Sequence, residues 1–199
     1  MRIIVVGAGG DIGQAACKEL QQRHEIVTVG RSSGDHRVDA SDINAVKSLY
    51  ESIGNFDAVV CCAGDATFAP LARMTQETFM VGLQQKVMAQ VNLVLAGLDV
   101  ISDAGSFTLT SGVLDRDPIR MGSNAATANG ALAGFVKSAA IEMPRGLRIN
   151  VVSPGMLDVS AARYGAWFHG HKPVSSHHVG LAYAKCVEGA LTGQVVIVD

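Results

Sequence analysis

Apolar and polar positions along this chain follow two alternating periods. Six short runs are nearly continuous, most of them rich in valine and isoleucine, at residues 3–6, 25–29, 58–62, 106–110, 148–152 and 195–198. Runs of this kind predict strands buried on both faces of a parallel sheet. A weaker strand is expected at 37–39. Between the runs lie longer stretches with helical spacing, at 12–23, 43–52, 76–98, 123–143 and 178–191. Strand and helix in strict alternation predict one doubly wound α/β domain over residues 1–199, with right-handed crossovers fixing most of its topology. The least regular stretch, 155–176, is rich in aromatic, glycine and histidine residues. So long a connection in a compact domain is usually functional, and it is read here as a substrate loop.

Composition narrows the class. Hydrophobic residues make up 48% and charged residues 17% of the chain, which fits a filled core and not a disordered polymer. A net charge of −2 gives no electrostatic case for a nucleic-acid partner. No apolar run approaches the ~18 residues of a membrane span, so no membrane partner is expected. The chain enters its first strand at once, without a signal-peptide layout. Cys17, Cys61, Cys62 and Cys186 form no CxxC and no disulfide-like spacing. They read as buried free thiols, and the expected setting is the cytoplasm. His169, His171, His177 and His178 lack a zinc-like spacing, and no metal is expected.

The 22 glycines are partly concentrated where chemistry needs them. Gly7-Ala8-Gly9-Gly10-Asp11-Ile12-Gly13 follows the first strand and opens the first helix. A dinucleotide pyrophosphate must lie against the backbone there, where a Cβ would collide, and the helix N-terminus offers free N–H groups. The second strand ends in Gly30-Arg31-Ser32-Ser33. A site for NAD usually places an acid here to bind the ribose hydroxyls, whereas a guanidinium with hydroxyls suits a 2′-phosphate. The expected cofactor is therefore NADP(H), in preference to NAD.

These pieces, in order and at suitable spacing, resemble the short-chain dehydrogenase/reductase family over nearly the whole chain. Gly7, Gly10 and Gly13 are similar to its phosphate-binding glycines, and Asp39 to the aspartate that contacts adenine. Cys61-Cys62-Ala63-Gly64 stands where the family has NNAG. Thr110-Ser111 ends the strand that carries the family's catalytic serine, and Arg148–Gly155 is similar to its RVNxxxPG segment, with Pro154 and Gly155 passing the nicotinamide. The resemblance implies a Rossmann-like seven-stranded parallel sheet of order 3-2-1-4-5-6-7 with helices on both faces. It also implies a homodimer or homotetramer joined through helices 76–98 and 123–143.

The resemblance fails at one point. The family's YxxxK motif falls on Ala125 and Asn129, so the usual proton donor and its supporting charge are both missing. Alanine transfers no proton, and asparagine offers hydrogen bonds without charge. Lys86 falls where the family has an active-site asparagine, and an ammonium there would enter the same cavity from a neighbouring helix. Ser111 is the best placed group for holding a carbonyl oxygen. Tyr164, His169 and His171 of the substrate loop are further candidate proton donors. The expected function is an NADP(H)-dependent oxidoreductase of a small carbonyl or alcohol substrate. The alternatives are an NADP(H)-binding redox sensor or regulator with impaired catalysis, and a non-redox reaction such as an isomerisation in the same cavity.

Overall fold

The first apolar run becomes the central strand, and the rest of the domain is wound from it. In the computed structural model, which describes Met1–Asp199, β1 (Arg2–Val6) pairs with β2 (Glu25–Gly30) on one side and β4 (Ala58–Cys61) on the other. The short β3 (His36–Arg37) flanks β2, and β5 (Ser106–Thr110), β6 (Arg148–Pro154) and β7 (Val195–Val198) extend the opposite wing. All pairings are parallel, and the order is β3-β2-β1-β4-β5-β6-β7. This is the doubly wound α/β domain that the alternating pattern predicts, with the seven-stranded order that the resemblance implies.

Helices cover both faces. They are α1 (Asp11–Leu20), α2 (Ile43–Ile53), α3 (Gln76–Gly82), α4 (Ala89–Gly97), α5 (Ser123–Glu142), α6 (Ala161–Tyr164) and α7 (Ser176–Glu188). Leu83–Met88, between α3 and α4, is π-helical. Successive residues of β1 feed opposite cores. Ile4 and Val6 join Val59, Leu93, Phe107 and Leu132 on one face, while Ile3 and Val5 join Leu20, Val60, Val179 and Tyr183 on the other. Burial on both sides explains why the strands read as unbroken apolar runs. Each such side chain contributes roughly 1.5–3 kcal/mol relative to exposure. No helix is long and apolar enough to cross a membrane.

The observed ends differ from the expected ones where turns intervene. The helical spacing continues to residue 23, but α1 stops at Leu20, and residues 21–23 continue as turns closed by His24 N–H bonding to the Leu20 carbonyl. The weak third strand pairs only through His36 and Arg37. The stretch 155–176 is more ordered than its composition suggests. A 3₁₀ turn at Asp158–Ser160 leads into α6, and a bridge between Leu157 and Val174 ties its two ends together. Asp158 fastens that base to α7 by accepting from the Ser176 hydroxyl at 2.5 Å. β1 and β4 are sheet neighbours, yet the chain runs outward through β2 and β3 between them. A crevice therefore opens beyond their carboxyl ends, where doubly wound folds bind ligands.

Candidate cofactor groove and catalytic centre

The turn after β1 contains two kinds of glycine. Gly7 has φ +82°, and a Cβ on it would lie 2.7 Å from the backbone nitrogen of Ala63. A Cβ on Gly13 would lie 2.1 Å from the Gly7 carbonyl oxygen. Both are required by the protein's own backbone, since contacts this short cannot be accommodated without movement. Gly9 and Gly10 are different. A Cβ on Gly9 would meet only the Ser33 hydroxyl, at 3.4 Å, and one on Gly10 only the Gly7 carbonyl, at 3.6 Å. Nothing in the fold forbids a side chain at these two positions. The space beside them belongs to a groove of about 320 Å³, where a methyl group would stand against a ligand and not against protein. This open backbone surface at the start of α1 fits a dinucleotide phosphate.

Of the residues expected at the cofactor, Gly7, Gly9, Gly10, Arg31, Ser32, Ser33, Asp39, Cys62, Ala63 and Gly64 line that groove together. Gly30, Asp65 and Gln85 line it as well, and the sequence reading does not single them out as ligand-facing. Asp65 follows Gly64 directly, which was the available signal. Arg31 is 63% exposed at its side chain and pairs with Asp65 at 2.5 Å, across the groove mouth from the end of β2 to the end of β4. Asp39 accepts from both the Ser41 amide and hydroxyl, and these bonds hold its carboxyl below the usual range. Cys61 and Cys62 point to opposite sides of the sheet. Burial pushes the Cys61 thiol up to about 12 and the Cys62 thiol further, so neither is a thiolate near neutral pH.

Five expected cofactor residues lie outside the groove wall. The Asp11 carboxylate turns to the 155–176 segment, accepting from Ser160 at 2.6 Å and from Arg163. Those bonds, Ser160 first, hold its carboxyl below the usual range. Ile12 packs against the core on the α1–α7 side of the sheet. Gly13 sits beneath Gly7, and Pro154 and Gly155 continue the ladder to Val198.

The three expected catalytic residues meet in space. Lys86 leaves the π-helical segment with its methylenes against Gly64, where an added Cβ would be 2.7 Å from the lysine Cγ. Its ammonium donates to the Ser111 carbonyl at 3.1 Å and to Asn129 Oδ1 at 2.7 Å. Asn129 is fixed in turn, because its Nδ2 donates to the Gly112 carbonyl at 3.1 Å. Withdrawal from water pulls the Lys86 pKa down to about 8, with the Asp115 carboxylate partly opposing the shift. An ammonium has three donors, so one remains beyond these two bonds. The Ser111 hydroxyl is buried and has no hydrogen-bond partner within the protein. A buried orphan hydroxyl costs free energy and needs an explanation, such as a ligand atom.

Ala125 sits 4% exposed in an apolar cluster with Val113 and Leu114, against which Phe168 of the 155–176 segment packs. The chain has three tyrosines, and none replaces the missing one on α5. Tyr50 donates to the Leu93 carbonyl, Tyr183 is fully buried against Thr110, and Tyr164 is 48% exposed beside Trp167. His171 packs edge-on to Phe168 with its Nδ1 3.5 Å from Asp117, and His169 is exposed.

Comparison with known proteins places this geometry in a lineage. A family model described as enoyl-(acyl carrier protein) reductase matches residues 1–179. A search of curated proteins returned no match. The protein lin1944 from Listeria innocua superposes with a TM-score of 0.97 at 46% identity, over 99% of this chain and 98% of that one. A small-chain dehydrogenase in complex with NADPH superposes at 0.86 with 26% identity, over 100% of this chain and 96% of that one. Aldohexose dehydrogenase from Thermoplasma acidophilum shares the fold at 19% identity, with a TM-score of 0.86 over 98% and 91% of the two chains. The chain belongs to the short-chain dehydrogenase/reductase family.

Proposed function

We propose that this member of the family is an NADP(H)-dependent oxidoreductase of a small carbonyl or alcohol substrate. In this reading Lys86 supplies the charge that the family's motif places on the next helix. The observation that carries it is the Lys86 ammonium, held between the Ser111 carbonyl and Asn129 beside a Ser111 hydroxyl with no internal partner. The glycine-lined groove and Arg31 with Ser32 and Ser33 support NADP(H), as does the relative solved with NADPH.

When bound, the dihydronicotinamide supplies a hydride. Ser111 donates its hydroxyl to the substrate oxygen as that oxygen gains charge, with its backbone held by its amide bond to Val152 at 2.9 Å. Lys86 is protonated at neutral pH because its pKa stays near 8, and in this reading its remaining N–H supplies the proton that the substrate oxygen takes up after the hydride has added to carbon. Asn129 is a positioning residue that keeps the ammonium in place.

A second reading is an NADP(H)-binding sensor with impaired turnover. It is favoured by Ala125, whose apolar surroundings offer no proton donor where the family has one. Fluorescence titration with NADPH and NADH, followed by a panel of aldehydes, ketones and quinones, separates the two. NADPH consumption is expected. Tight NADPH binding without oxidation across the panel selects the sensor. We further propose a homodimer or homotetramer through α4 and α5, which expose Leu95 at 49% and Ile141 at 87%. Light scattering on Leu95→Glu should then report a smaller species. A cytoplasmic setting suits the four free thiols.

A further inference from the structure

The groove has one cation among its lining residues, Arg31, and two acids, Asp39 and Asp65. The acids are not equivalent. The Asp39 carboxylate is already bonded to the Ser41 amide and hydroxyl, whereas the Asp65 side chain has Arg31 as its one hydrogen-bond partner. Asp65 is also held from behind, since its backbone N–H reaches the Gln85 carbonyl at 3.4 Å. The pair joins two loops on opposite sides of the groove, so a nucleotide lying along it meets Arg31 with its guanidinium already engaged.

From this juxtaposition we infer that Asp65 is a specificity-determining residue that competes with a nucleotide 2′-phosphate for Arg31. The inference rests on the NADP(H) reading of the same groove. The guanidinium gives Asp65 a single Nη2–Oδ2 bond. A phosphate monoester offers nearly twice the charge and three acceptor oxygens, and it takes the fork in two bonds. Ligands with a 2′-phosphate therefore displace the carboxylate. Ligands without one offer Arg31 only neutral hydroxyls, and the pair stays closed beside them. Asp65 thus weakens the binding of the preferred ligand while keeping the lone cation of the groove from other anions.

The test is calorimetric titration at fixed ionic strength with adenosine 2′,5′-bisphosphate and with 5′-AMP. The proteins are the wild type, Asp65→Asn, Arg31→Ala and the double variant. Asp65 is half exposed and asparagine is isosteric, so the fold is retained. Asp65→Asn should tighten the bisphosphate by about 3- to 10-fold, the range of an exposed ion pair plus relief of repulsion, and leave 5′-AMP within about 2-fold. On the Arg31→Ala background the gain should shrink to the relief of repulsion alone. An unchanged bisphosphate affinity, or an equal gain for both ligands, would overturn the role of Asp65. If Arg31→Ala fails to weaken the bisphosphate relative to 5′-AMP, the NADP(H) reading itself falls. If it does weaken it while Asp65→Asn is silent, only the present inference falls.

Discussion

The phosphate-loop end of the groove and the centre around Lys86 solve their tasks by different means. At the first, backbone shape does the work. Gly7 and Gly13 let strand, turn and helix approach closely, and Gly9 and Gly10 leave a bare surface. At the second, side chains do the work. A charge enters from α3–α4, an amide on α5 holds it, and a serine at the end of β5 stands beside it. Backbone shape tolerates few substitutes, because at Gly7 and Gly13 only glycine fits the fold. A charge can arrive from another helix, so long as its ammonium reaches the same point. The difference teaches why the family's glycine pattern persists here while its catalytic pair does not.

Four measurements test that contrast. The largest effect is expected from Gly13→Ala, whose methyl would sit 2.1 Å from the Gly7 oxygen. It should cost about 3 kcal/mol of stability by overpacking and abolish nucleotide binding, read from denaturant midpoints and titration. A wild-type midpoint would mean that the turn is softer than its geometry implies. Lys86→Met should follow. Turnover should fall ~10²-fold or more, the contribution of a general acid, while the protein stays folded. If turnover is unchanged, the charge at that point is idle.

Gly9→Ala is the sharper partner to Gly13→Ala. Its methyl enters open groove, so stability should stay within ~0.5 kcal/mol while NADPH affinity drops about tenfold through displacement of the phosphate. Equal damage to fold and binding would erase the distinction between the two kinds of glycine. The smallest effect concerns pH. Reduction should decline as pH rises through about 8, where Lys86 loses its proton. Asp115→Asn should move that midpoint down, because a neighbouring negative charge favours the ammonium. The same lowered pKa predicts a stability trend of known sign. Between pH 8 and the ordinary lysine value of 10.5 the unfolded chain holds a proton that the folded one has released, so stability rises with pH. Lys86→Met should remove that slope.

The sheet was legible because burial on both faces leaves a direct mark, the unbroken apolar runs at 3–6 and 58–61. Most of the groove was legible for a similar reason, since close backbone approach demands glycine. What the sequence hid were partnerships between side chains far apart in the chain. Nothing local marks Asp65 as the mate of Arg31, 34 positions away, or Asn129 as the bracket for Lys86, 43 positions away. Asp11 was misleading for the same reason. It lies inside the glycine motif, yet its carboxylate serves Ser160 and Arg163, some 150 residues later. The order within 155–176 was hidden because it rests on contacts between the two ends of the segment, Asp158 with Ser176 among them, and with Asp11 far away in the chain.

Lys86 stands in the π-helical segment Leu83–Met88, and this sets the terms on which such a residue can be gained or lost. A π turn holds one residue more than the α turn it interrupts. Deleting a single residue between Gly82 and Lys86 would let the helix run straight. Residues on the two sides of the cut would then turn by about 100° relative to each other, the step of an α-helix. If α4 kept its place on the sheet, α3 would rotate; if α3 kept its place, Lys86 would swing away from Asn129. The position of the ammonium is thus encoded in a length as well as in an amino-acid type. Drift by insertion and deletion can move charge into or out of this cavity without a single substitution.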